Sequence, residues 1–183
     1  AEVVESINTQ HVNERYHPGI ELPVTMWASS DPKAVLADAE VVILAIPSQT
    51  LRENLAVWKD YLAPGAILVS LMKGIELGTV MRMSQVIGDV TGLPSDQIAV
   101  LSGPNLAREI AQRQPAATTI ASTSEDAARK VAEAATTAYF RPYYTTDLVG
   151  AEIGGSVKNV IALANGMAVG MGLGENTQAS LIT

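Results

Sequence analysis

The sequence predicts an α/β fold, a doubly wound parallel sheet with helices at its C-terminal end. Three observations carry that prediction. Short, continuous apolar runs rich in β-branched residues recur with longer helical stretches between them, the βαβ order of a parallel sheet. Turn residues follow each of the first three runs directly, where open α/β sheets place their ligand chemistry. From Ala151 onward the pattern is helical, interrupted only by the glycine-rich turn after Met171.

Each element has its own signal. Val41 to Ile46, Ala66 to Leu71 and Ile98 to Leu101 are continuous apolar runs and read as buried parallel strands. Helical stretches lie between them near Asp31 to Ala39, Gln49 to Tyr61 and Thr79 to Gly88. Shorter strands follow at Thr118 to Ala121 and Phe140 to Thr145, separated by an alanine-rich, charged surface helix from Ser124 to Thr137. A long helix through Lys158 then ends in Gly170-Met171-Gly172-Leu173-Gly174, and Asn176 or Thr177 offers a cap for the next one.

Composition bounds the function classes. Of 183 residues, 48% are hydrophobic and 17% charged, which suits a globular chain with one core and part of another. A net charge of -7 without basic clusters argues against nucleic acid or an anionic membrane as partner. There is no cysteine, so no disulfide framework and no thiolate metal site, which suits a cytoplasmic enzyme. His11 and His17 make a poor metal set and read as solvated residues, so no metal site is assigned. No apolar run reaches the length of a membrane span, and no signal peptide is visible.

The most informative stretch is Gly154-Gly155-Ser156-Val157-Lys158-Asn159-Val160-Ile161-Ala162. At helical spacing Ala151, Gly154, Gly155, Lys158, Ala162 and Asn165 share one side, while Val157, Val160, Ile161, Ala164, Ala168 and Met171 form an apolar stripe around the rest. Glycine inside a helix costs roughly 1 kcal/mol relative to alanine, so two before a lysine imply that a backbone or ligand approaches closely. A lone lysine here would simply snorkel to water. Its neighbours argue for a task.

The strand ends supply companions. Pro47-Ser48 follows the first strand, Met72-Lys73-Gly74 the second and Ser102-Gly103-Pro104-Asn105 the third, and in a parallel sheet these turns converge on one edge. Each alone is also an ordinary turn, and Lys73 an ordinary solvated lysine. Together with Lys158 they make a site.

The run from Gly154 to Thr177 resembles the active-site segment of the bacterial-type NAD(P)-dependent glycerol-3-phosphate dehydrogenases. The resemblance extends to Ser70-Leu71-Met72-Lys73-Gly74-Ile75-Glu76 and Leu101-Ser102-Gly103-Pro104-Asn105-Leu106-Ala107-Arg108-Glu109, and covers nearly all of the chain. It implies a Rossmann-like domain over residues 1–150 and the start of the helical substrate domain over 151–183. The G-x-G-x-x-G fingerprint expected after a first strand is missing, as is the strand that would read the ribose. Ala1 to Gln10 would then be the helix following that strand, and both chain ends look cut. A chain lacking these parts, and the phosphate-holding residues expected beyond Thr183, is expected to be inactive on its own.

By the same resemblance, Lys158 is the proton-transfer lysine and a substrate contact, a role that partial burial and the nearby positive charge of Lys73 would favour. Asn159 supports the site without touching substrate. Lys73 contacts substrate and cofactor, Gly103 and Asn105 contact substrate, and Ala107, with Pro47 and Ser48, falls on the cofactor side. The family often has a hydroxyl residue where Asn105 stands, and an amide there can donate to a substrate oxygen. The implied reaction is reduction of dihydroxyacetone phosphate by NADPH or NADH to sn-glycerol 3-phosphate, supplying glycerophospholipid synthesis, in a homodimer. Two rivals remain. β-Hydroxyacid and 6-phosphogluconate dehydrogenases also carry a lysine on such a helix, but their lysine and asparagine are several residues apart, whereas Lys158 and Asn159 are adjacent. A noncatalytic assembly module would suit exposed apolar faces.

Overall fold

Valine, isoleucine and leucine runs can be buried on both faces of a pleated strand, and the sheet forms from them. The computed structural model describes residues 2–183. Its elements in chain order are α1 (Glu2–Gln10), β1 (Val12–Asn13), β2 (His17–Glu21), α2 (Pro32–Leu36), β3 (Val41–Leu44), α3 (Leu51–Trp58), β4 (Ile67–Ser70), α4 (Met83–Thr91), β5 (Ile98–Ser102), α5 (Ala107–Ala111), β6 (Ala116–Ser122), α6 (Glu125–Ala135), β7 (Phe140–Thr145), α7 (Leu148–Gly170) and α8 (Glu175–Ile182).

Strands β3 to β7 form one five-stranded sheet in sequential order, and β1 with β2 forms a separate antiparallel hairpin. The β3/β4, β4/β5 and β6/β7 pairs are parallel. The β5/β6 pair is antiparallel, which corrects the all-parallel expectation at one position. A parallel entry needs a crossover connection, usually a full helix, and the only helix between β5 and β6 is the five-residue α5. The chain therefore turns back beside β5.

Helices cover both faces. Val42, Leu44 and Leu68 pack against Leu51 and Leu55 of α3 and Met83, Val86 and Ile87 of α4. On the opposite face Ile67, Val69, Ala99, Leu101 and Ile120 meet Ala127, Ala128, Val131 and Ala132 of α6. Strand β4 is buried along its whole length, and each fully buried leucine or valine contributes about 1.5–3 kcal/mol. Leu148 of α7 packs on Val100 and Ala121. Because Val100 and Ile98 are two residues apart on one strand, α7 lies on the same face as α4.

Two helix starts differ from the sequence expectation. The stretch from Thr79 does not begin a helix. Thr79 Oγ1 donates to buried Glu76 at 2.5 Å, and Arg52 holds the same carboxylate through two bonds of 2.9 Å. These bonds keep residues 76 to 81 in a loop, and α4 starts only after Arg82. Gly174, rather than Asn176 or Thr177, caps α8, so both polar residues fall in its first turn.

Helix α7 departs from the expected apolar stripe. Val157, Val160, Ile161 and Met171 are exposed, and only Leu148, Glu152 and Ala168 of the helix are buried. The contacts that hold α7 are largely polar. Glu152 accepts from the Ser84 amide at 2.8 Å and from Ser84 Oγ at 2.5 Å, and it forms an ion pair with Arg82. One turn on, Ser156 Oγ accepts from the Gly74 amide at 3.1 Å and donates to the Glu152 carbonyl at 2.8 Å. These bonds fix α7 to the start of α4 and to the turn after β4.

Candidate active site

The carboxyl ends of β4 and β5 and the middle of α7 enclose a cleft of about 520 Å³. Lys73 enters it from the turn after β4, Ser102 to Leu106 from the turn after β5, and Gly154, Gly155 and Lys158 from the helix. Four residues expected at the site, Lys73, Gly103, Asn105 and Lys158, thus line one cavity although 85 positions separate the first from the last (158 minus 73). Pro47, Ser48 and Ala107 are not among its lining residues. Pro47 and Ser48 open the turn before α3, and Ala107 opens α5.

Small residues make the convergence possible. A Cβ on Gly155 would stand 2.7 Å from Ser102 Oγ, with the Lys73 side chain next nearest, so the helix backbone reaches the strand end only because none is there. That bears out a close approach of another segment at Gly155, while Gly154 lines the cleft with open space around it. Gly103 is closely packed as well, against backbone: its Cβ would lie 2.9 Å from Thr118 Oγ1 and 3.1 Å from Thr118 Cα.

Polar contacts orient the side chains. Lys73 Nζ donates to the Gly103 carbonyl at 3.0 Å, linking the turns after β4 and β5. Lys158 Nζ donates to Asn159 Oδ1 at 3.0 Å, so the adjacent amide steadies the lysine. The expected partial burial of Lys158 is not found. It is exposed although it lines the cleft. Asn105 Nδ2 donates to Thr118 Oγ1 at 2.8 Å, while its Oδ1 is enclosed and without a partner. One N–H of the Asn105 amide is thus engaged and the second is left to donate. An unmatched buried acceptor costs about 1–3 kcal/mol, the sort of deficit found at binding sites.

Two cations on one cavity wall give the cleft local positive charge in a chain of net charge -7. That pattern suits a small anion rather than a polyanion. No group of His, Cys, Asp or Glu able to hold a metal ion occurs among the described residues.

Comparison with known proteins decides the family. Residues 1–128 match the model for the N-terminus of NAD-dependent glycerol-3-phosphate dehydrogenase, and residues 147–183 match that for its C-terminus. The chain belongs to this dehydrogenase family. Among similar relatives, the glycerol-3-phosphate dehydrogenase [NAD(P)+] of Streptomyces griseus is 57% identical over 183 residues, all of this chain and 54% of that protein. The enzyme of the same name from Corynebacterium diphtheriae is 58% identical over 182 residues, all of this chain and 55% of that protein. The chain spans about half the length of the curated relatives it matches. The crystal structure of the glycerol-3-phosphate dehydrogenase of Coxiella burnetii superposes with a TM-score of 0.82 at 31% identity, over 98% of this chain and 55% of that one. The glycerol-3-phosphate dehydrogenase of Saccharomyces cerevisiae gives 0.87 at 30% identity, over 98% and 53%. The sheet is Rossmann-like, as these dehydrogenase neighbours share it.

The turns after β3 and β4 also come close to each other. Gly74 adopts φ +143° and its missing Cβ would lie 3.1 Å from Ser48 Oγ, so the two turns close on each other with little side chain between them.

Several contributors were not legible beforehand. Thr118 sits mid-strand, and nothing in its local sequence ties it to Asn105. Ser102 and Ser156 lay inside recognised segments but were given no role. Glu152 does carry a sequence signal, since a carboxylate in an apolar helix requires a partner.

Proposed function

We propose that the protein to which this chain belongs reduces dihydroxyacetone phosphate to sn-glycerol 3-phosphate with NADPH or NADH, and runs the reverse oxidation. The observation that carries the reading is the meeting of Lys73 and Lys158 in one cleft with Gly103 and Asn105. Membership of the dehydrogenase family and the adjacency of Lys158 and Asn159 support it over a hydroxyacid dehydrogenase.

The geometry suggests the division of labour. When bound, the nicotinamide supplies the hydride that goes to the ketone carbon. Lys158 gives an Nζ proton to the ketone oxygen as negative charge develops there, and takes it back in the oxidative direction. Asn159 holds Lys158 Nζ in place. Lys73, anchored on the Gly103 carbonyl, keeps a second positive charge beside the substrate oxygens. Pro47, Ser48, Ala107 and Lys73 form the cofactor side.

Other parts of the reading extend from the family. We assign residues 1–150 to the cofactor domain and 151–183 to the start of the helical substrate domain, in a cytoplasmic homodimer that supplies glycerophospholipid synthesis. No helix among the described residues is long and apolar enough to cross a membrane.

The test is oxidation of NADPH and NADH by a protein carrying this chain at the full length of its relatives. Turnover with dihydroxyacetone phosphate and none with β-hydroxyacids or their keto forms is expected. Turnover only with the latter would overturn the substrate assignment.

A further inference from the structure

We infer that Gln49 is a positioning residue for the cofactor: its side-chain amide clamps the turn after β4 to the turn after β3. The inference rests on the dehydrogenase reading above, in which Pro47, Ser48 and Lys73 form the cofactor side. Gln49 Nε2 donates to the Ile75 carbonyl at 2.9 Å, and Gln49 Oε1 accepts from the Leu77 amide at 2.9 Å. One side chain thus gives residues 75 to 77 the pair of bonds that a neighbouring strand would give. The backbone fixes which end of the amide points where, because a carbonyl can only accept and an N–H can only donate.

The clamp sits where the two turns meet. Gln49 directly follows Ser48, and its Nε2 also lies 3.4 Å from Ser48 Oγ. Across the gap, a Cβ on Gly74 would stand 3.1 Å from that same oxygen. Arg52, one turn after Gln49, holds the Glu76 carboxylate, so residues 75, 76 and 77 are all tied to the segment that begins at Ser48. Lys73 and Gly74 have separate anchors, the Gly103 carbonyl and Ser156 Oγ. Loss of the Gln49 amide therefore loosens the Ser48 side of the turn and leaves the Lys73 side in place. Gln49 is exposed, and among the described residues no other group accepts from the Leu77 N–H, so these two bonds are the whole of the clamp. Its signature is weaker cofactor binding with the chemical step intact.

The test uses a protein carrying this chain at the full length of its relatives, with Gln49→Met, which keeps the length of the side chain, and Gln49→Ala. Fluorescence titration should show the Kd for NADPH, or for NADH if that binds more tightly, raised about three- to tenfold in both variants, as loss of one net hydrogen bond does. At saturating cofactor, kcat and the KM for dihydroxyacetone phosphate should stay within about twofold of wild type. The Leu77 amide, followed by NMR, should exchange with deuterium about tenfold or more faster in Gln49→Met than in wild type, with the melting temperature within about 2 °C. An unchanged Kd, a fall in kcat as large as the rise in Kd, or equal Leu77 exchange in wild type and variant would overturn the inference. If wild type binds the cofactor but leaves dihydroxyacetone phosphate unreduced, the substrate assignment falls, and the Kd and the exchange still decide the role of Gln49. If wild type binds neither cofactor, the function reading and the inference fall together.

Discussion

Gly155 and Ser102 meet with no room to spare: a Cβ on the glycine would lie 2.7 Å from the serine hydroxyl oxygen. This contact sets how closely the helix bearing Lys158 approaches the strand end bearing Gly103. Alanine at an open helical position should stabilise by up to about 1 kcal/mol, whereas overpacking costs about 1–3 kcal/mol. Gly154→Ala, with open space around it, should therefore raise the melting temperature of this chain. Gly155→Ala should not, and Ser102→Ala in the same background should recover the difference. Equal shifts for the two glycine variants would contradict the contact.

Glu152 is the main anchor of α7, held by Arg82 and by both donors of Ser84. Removing one partner of a buried ion pair strands the other, which costs about 3–5 kcal/mol. Glu152→Ala should lower the free energy of unfolding in urea by about that amount. A change within about 0.5 kcal/mol, as for a surface site, would show that the pair does not anchor the helix.

Glu76 gives a pH signature. The Arg52 guanidinium, aided by the Thr79 hydroxyl, holds its carboxyl below the usual glutamate range. A depressed folded-state pKa means that the charged form is favoured by folding. Its contribution is thus fully present above the ordinary value near about 4.3 and is lost as pH falls through the depressed one. The stability difference between wild type and Glu76→Gln should be constant from neutral pH down to about 5, then shrink on further acidification. Urea unfolding across that range checks it, and a difference that grows toward low pH would contradict the assignment.

Lys73 carries a different expectation. As a cation held on the Gly103 carbonyl, it should act on substrate oxygens more than on proton transfer. In a protein of the relatives' full length, Lys73→Met should raise the KM for dihydroxyacetone phosphate by about tenfold or more. An unchanged KM would return Lys73 to an ordinary turn lysine.

How much of this was legible in the sequence follows from the range of the forces involved. Strands β4 and β5 were readable because residues such as Val69 and Ala99 belong to apolar runs buried on both faces, and β3 was found from the same signal although its Ile43 is exposed and only one of its faces is buried. The antiparallel entry of β6 was not, since it depends on how short α5 is and not on β6 itself. The late start of α4 was hidden because Glu76 is held in its loop by Arg52, which lies 24 residues earlier. At the site, Lys158 was conspicuous as a charge in an apolar helix, and Gly154 and Gly155 as glycines inside it. Thr118 was invisible for the opposite reason: threonine is ordinary in a strand, and its partner Asn105 is brought to it only by the sheet.

The central claim is that Lys158 transfers the proton, and its most direct test is kcat for dihydroxyacetone phosphate reduction by the full-length protein and its Lys158→Ala variant. The account predicts a fall of about 10²- to 10⁴-fold with the circular dichroism spectrum and melting temperature unchanged. A folded variant that keeps the wild-type kcat would contradict it.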